Sequence, residues 1–226
     1  MKTLCTVRLF SVLVLFFLEI IRSPSSTAAT APCDPWIAKM VSVQGIVEVR
    51  RAGQTQWIPA RLNDIYCGGD QVKVGERSRA DILLFGRPIV RLDQNTTITF
   101  GGVKEERTSL LDLIKGSLYF FSRFPRRLEV RTAFFNAGVE GTEGLIISEA
   151  DRALITIFQG KVVVSNPVGM LTLLTGQSAF VEQGRAPLLT VPVRPRDAVR
   201  WAIYYQPTLN LGPEEFPVGP GWQGMV

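Results

Sequence analysis

Val41-Ser42-Val43-Gln44-Gly45-Ile46-Val47-Glu48-Val49-Arg50 sets valines on alternate positions, with Ser42, Gln44, Glu48 and Arg50 between them. A period of two is the pattern of a strand that buries one face and wets the other. It returns at Ile98 and Phe100 against Thr97 and Thr99, at Ile155 and Ile157 about Thr156, and at Val162 and Val164 after Gln159-Gly160. The unbroken run Ile82-Leu83-Leu84-Phe85 predicts a strand covered on both faces. Glycines at 45, 53, 68, 69, 75, 86, 101, 102, 116, 160, 169 and 176 separate these runs at short intervals. Short strands between glycine turns predict an all-β domain, either a stacked β-roll or solenoid or a sandwich. No stretch before Pro192 has a convincing helical period. Thr108 to Ile114 comes nearest, and it serves equally well as the lead into a strand after Gly116.

Three runs share one form. Gly45-Ile46-Val47-Glu48-Val49, Gly116-Ser117-Leu118-Tyr119-Phe120 and Gly160-Lys161-Val162-Val163-Val164 each open an apolar strand with a glycine. Glycine at a strand entry permits a sharp reversal or close strand stacking. The echo reads as repeated rungs of one architecture.

Both ends differ from this middle. Lys2 and Arg8, the apolar stretch Leu9 to Leu18, and small residues up to Ala29 give the charged–apolar–small layout of a secretory signal peptide over residues 1–29. As a membrane anchor the stretch is short of the roughly 20 apolar residues a span needs, and Glu19 interrupts it. Export to the periplasm, envelope or exterior follows, with no membrane span after cleavage. Loss of Lys2, Arg8, Arg22 and Glu19 lowers the formal charge from +5 to +3, too small and too dispersed for nucleic acid. Residues 30–190 form the β domain, and residues 191–226 a Pro-rich linker, a short helix capped by Asp197 and ended by Pro207, and a disordered tail.

The chain contains no histidine, which removes Ser-His and Cys-His catalysis and the commonest metal ligand. Neither zinc-ligand spacing nor a phosphate-binding glycine loop occurs, so no catalytic residue, metal or cofactor is assigned. Cys33 and Cys67 make an even pair in an oxidising compartment and are candidates for a disulfide. Of the acids, Glu140, Glu143, Asp70, Asp81 and Asp93 sit beside glycines, at turns or at strand ends, where Asp bonds nearby backbone amides. Asn95-Thr96-Thr97 matches a glycosylation acceptor and is read as inert. Tyr119 and Phe121, with Arg123, Arg126 and Arg127, form the candidate binding surface for a glycan or a peptide. Alternatively, alternate aromatics of this run belong to the core.

Taken in order, the motifs resemble the FecR domain of bacterial envelope proteins, from Val41 to Val181. They begin with the Gly45 strand, Trp57 and Gly69-Asp70, followed by Val72, Gly75, Ser78 and Ala80. Val130-Arg131-Thr132 with Ala137, Val139, Gly141 and Thr142 is similar to the family's most recognisable segment, and Ile155 to Gln177 to its closing strands. Three positions depart from the pattern: Gly86 lacks a preceding Asp, Glu140 replaces an Arg, and Gly144 stands where a bulky residue is common. The resemblance implies a non-catalytic binding domain that engages another envelope protein or a cell-wall glycan. It also implies an alternative, a remnant or accessory regulator of sigma-factor signalling of the iron-uptake type, while the aromatic and acidic residues leave open a carbohydrate-recognition or glycan-active domain. Pro195 to Tyr205 is similar to the joint that precedes tetratricopeptide repeats in one branch of the family, here without the repeats.

Overall fold

In a computed structural model the chain is described at Cys33, residues 36–85, 88–104, 108–121, 127–190 and Trp201. In chain order the strands are β1 (Ala38–Gln44), β2 (Val47–Arg50), β3 (Ile58–Pro59), β4 (Ile65–Tyr66) and β5 (Gln71–Val74). They continue as β6 (Arg79–Leu84), β7 (Ile89–Leu92), β8 (Thr97–Lys104), β9 (Thr108–Phe121) and β10 (Arg127–Arg131). Then come β11 (Asn136–Ser148), β12 (Arg152–Asn166), β13 (Gly169–Leu174), β14 (Ser178–Glu182) and β15 (Leu188–Thr190). The predicted all-β class is what the described residues form. Thr108 to Ile114 is strand rather than helix.

Pairing sorts the strands into two layers. The first runs β3-β2-β5-β8, then the opening half of β9, β10, the opening half of β11, the closing half of β12, and β13. The second runs β4-β1-β6-β7, then the closing halves of β9 and β11, the opening half of β12, β14 and β15. Neighbours are antiparallel except β9 and β10, which run parallel. The period-two apolar residues of both layers meet between them: Val49, Val72, Ile98 and Leu111 from the first, and Ile82, Leu92, Leu118 and Ile155 from the second, in one core. Each such side chain contributes about 1.5–3 kcal/mol on burial.

Three long strands belong to both layers, and each changes layer at a glycine. β9 turns at Gly116 (φ 96°), β11 at Gly141 (φ 60°) and β12 at Gly160 (φ 97°). β1 and β2 form a fourth such passage, broken at Gly45 (φ 75°). The echo read at Gly45, Gly116 and Gly160 is therefore three of these four inter-layer crossings. Positive φ explains the residue type, since only glycine enters that region without a Cβ penalty.

Cys33 and Cys67 are bonded in a disulfide with Cα atoms 5.7 Å apart. It closes a 34-residue interval, which by chain entropy stabilises the fold by about 3–4 kcal/mol. The signal segment and the tail lie outside the described residues. Of the predicted helix only Trp201 is described, and its backbone is helical.

Candidate functional site

The two family motifs turn out to be built into the frame. Asp70 is 2% exposed. Its Oδ1 accepts from the Ala52 amide at 2.8 Å, and its Oδ2 accepts from the Arg51 guanidinium at 2.8 Å and the Cys67 amide at 3.1 Å. Arg51 also donates to the Ile65 carbonyl at 2.6 Å and lies over the Tyr66 ring. One carboxylate thus ties the β2–β3 turn to the disulfide-bearing turn before β5. Gly69, at φ 86°, lets its amide reach the Phe100 carbonyl at 2.7 Å.

At the second motif, Thr142 is fully buried and donates to the Lys161 carbonyl at 3.2 Å. Gly141 supplies the β11 crossing, and Val139 fills the core beside it. The Gly160 crossing of β12 packs directly on Gly141 and Thr142. Gly144 has no room for the bulky residue expected there. A Cβ would lie 2.6 Å from the Phe120 ring and 2.7 Å from the Thr156 carbonyl oxygen, so Phe120 already occupies that volume. The side chain of Glu140 lies outside the described set. Arg131, in the same family segment, makes a two-point pair with Asp112 at 2.6 and 3.0 Å across the parallel strands. Thr132 closes the β10–β11 turn by accepting from the Phe134 and Phe135 amides.

Of the five residues of the candidate surface, Tyr119 and Phe121 are described with their side chains. Tyr119 and Phe121 stand on β9 in the second layer, with Phe120 between them in the core. Arg127 belongs to β10 in the first layer, and its side chain lies outside the described residues, as do Arg123 and Arg126 entirely. The Tyr119 hydroxyl donates to Glu143 at 2.6 Å. Burial, reinforced by that bond to a carboxylate, pushes the phenol well above its usual range.

The outward faces of the layers differ in character. On the first, the register runs through Arg50, Gln71, Thr99, Asp112, Arg131 and Asn136, a polar row. Arg50 and Lys73 both lie over Trp57, with 4.9 and 4.6 Å to the ring centroid. On the second layer Tyr119 faces Leu145, and Ile147 faces Leu154, which faces Phe180. This apolar face escaped the sequence reading. Its signal was that Leu118 to Phe121 and Leu145 to Ile147 are apolar at every position, as strands covered on both sides are.

Among the described acids named from the sequence, the three aspartates have cations or amides as partners. Asp93 binds Arg79 at 3.2 Å, and Asp70 is the turn carboxylate just described. Asp81 sits within β6 and not at a turn, 3.7 Å from Arg91 on β7. Its side chain is 10% exposed. Burial pushes it up to about 6 from 3.8, against the opposing pull of Arg91. The folded chain therefore holds a proton that the unfolded chain has lost. The stability this confers is complete below pH 4 and fades as pH rises through 6. The size is about 3 kcal/mol. Asp81→Asn should flatten the fall in unfolding free energy between pH 4.5 and 7 relative to the parent, read by urea titration at each pH. Identical slopes would overturn the assignment.

Among the described residues no group of histidine, cysteine, aspartate and glutamate could hold a metal ion, and no helix is long and apolar enough to cross a membrane.

The family model described as FecR protein matches residues 70–163, from Asp70 into the closing half of β12. Two crystal structures, at 1.65 and 2.50 Å resolution, of a candidate anti-sigma factor from Parabacteroides distasonis ATCC 8503 are similar to this chain. Each superposes with a TM-score of 0.51 at 18% sequence identity, covering 58% of this chain and 63% of that one. The chain thus spans less than two thirds of these relatives, and at this identity the likeness is one of fold. Comparison with curated proteins gives no match.

Proposed function

On the premise that residues 70–163 form a FecR domain, we propose that this chain is a protein-binding module of bacterial regulatory signalling, of the sigma-factor type, working without chemistry of its own. The observation that carries the reading is the edge of the first layer. Among the described residues β13 pairs with β12 alone, leaving its other side free to take a partner strand. Met170 and Leu174 on that strand are 75% and 51% exposed, with Val163 and Val168 beside them. An uncovered apolar edge recruits another chain by backbone pairing, with side chains supplying specificity. The partner is another envelope protein, reached after export directed by residues 1–29. The likeness in fold to a candidate anti-sigma factor supports the signalling class.

The test places a photo-crosslinking residue at Met170 in cells and identifies the adduct. A sigma-factor regulator or its transducer, bound directly by the purified chain and lost at least tenfold in Met170→Arg/Leu174→Glu, supports the reading. Adducts to cell-wall glycan, or undiminished binding by the double variant, overturn it. Fractionation of cells with and without residues 2–29 tests the compartment.

A further inference from the structure

Leu145 lies on the outward face of the second layer, yet it is 2% exposed, as buried as the core between the layers. The residues packed about it are Tyr119 from β9, Ile147 from β11, Phe158 from β12 and Trp201. This is a second apolar cluster, separate from the main core, and Trp201 packs against it. Tyr119 and Phe158 form two walls, their rings stacked at 28° with centroids 6.4 Å apart. Glu143 holds Tyr119 upright through its hydroxyl. Next to it, Ile147, Leu154 and Phe180 floor a cavity of about 390 Å³, rimmed by Glu149, Arg152 and Glu182. Thr190, the last residue of β15, opens onto that cavity.

The chain is not forced into this contact. From β15 to β11 is three strand spacings, about 14 Å, whereas the eleven residues from Thr190 to Trp201 reach up to about 36 Å when extended. That slack means the contact with Trp201 depends on its own affinity and not on the connection. An aromatic residue of this size is also the type that anchors one protein segment in another.

We propose that the outward face of the second layer is a socket for an aromatic-bearing segment, and that the chain's own C-terminal segment, anchored by Trp201, occupies it in cis. The socket is distinct from the β13 edge and does not depend on it. The covalent connection from Thr190 holds the segment near the socket at an effective concentration on the order of millimolar, so a free copy of the segment competes poorly until the anchor is removed.

The experiment uses the full chain and a fluorescently labelled peptide of residues 195–206, followed by anisotropy. The peptide should bind Trp201→Ala at least tenfold more tightly than the parent chain, and Phe158→Ser added to Trp201→Ala should remove that binding. Leu145→Arg in the same background is the stronger lesion. Phe158→Ser, at a half-buried position, is the variant expected to keep the fold, checked by near-UV circular dichroism. Amide exchange in Leu145 to Ile147 should also quicken in Trp201→Ala. Equal peptide binding by parent and Trp201→Ala, or none by a folded Trp201→Ala chain, overturns the proposal. Loss of the β13 cross-link with the socket intact would count against the proposed function and leave this inference standing.

Discussion

Asp70→Ala should lower the unfolding free energy by about 3–5 kcal/mol, the range for removing one partner of a buried ion pair. The carboxylate accepts three bonds, from the Ala52 and Cys67 amides and from Arg51, at 2.8 to 3.1 Å. Alanine leaves both amides without an acceptor, and an unpaired buried donor costs about 1–3 kcal/mol. It also strands Arg51, whose side chain is only 25% exposed. Arg51 keeps its bond to the Ile65 carbonyl and its place over Tyr66, so the loss should not spread to the whole β4 region. Asp70→Asn separates charge from geometry. Its carbonyl oxygen replaces one acceptor, but its amide then faces a donor, and an intermediate loss is expected. Urea unfolding, with the disulfide intact in every sample, reads both. A loss under 1 kcal/mol for Asp70→Ala would mean that the turns are held by the disulfide and the Gly69–Phe100 bond, and that the carboxylate is incidental.

How far the residues alone could reach is shown by particular elements. Period two and glycine spacing are local, and they led to the all-β class and to the buried faces of β2, β8 and β12. The crossings were visible as an echo at Gly45, Gly116 and Gly160, but their meaning was not, because passing between layers is a fact about which distant strands pair. Gly141 was missed as a fourth member because the strand it opens, Thr142-Glu143-Gly144, lacks the apolar start of the others. Thr108 to Ile114 has no local preference strong enough to exclude a helix. Its strand state follows from β8 on one side and the parallel β10 on the other. Asp70 was read as turn chemistry. That was right in kind, but its three donors come from positions 3 to 19 residues away, which spacing does not reveal. The socket for Trp201 is drawn from β9, β11 and β12, so only the doubly apolar strands hinted at it.

The crossings make a sharper test of the architecture than any surface residue. Gly116→Ala should destabilise by about 3–5 kcal/mol, combining the strain of a non-glycine residue at positive φ with overpacking. Its Cβ would sit 2.5 Å from the Thr96 Cα and 2.5 Å from the Thr96 hydroxyl oxygen. The first of these is backbone and cannot rotate aside. Thr96 is itself buried, its hydroxyl accepting from the Ser117 amide at 3.0 Å and donating to the Ser117 carbonyl at 3.2 Å. Relieving the clash therefore means parting the start of β8 from the bend of β9, which breaks that clamp as well. Gly176→Ala supplies the control. It has a similar positive φ of 80°, with nothing within 4 Å of the added Cβ, so strain alone should cost about 1–2 kcal/mol. If the two variants unfold at the same urea concentration, φ strain explains both and the tight approach at Thr96 carries no weight. If Gly116→Ala alone loses cooperativity, with the second layer unfolding before the first, then the passage of β9 between layers is what couples them into one unit.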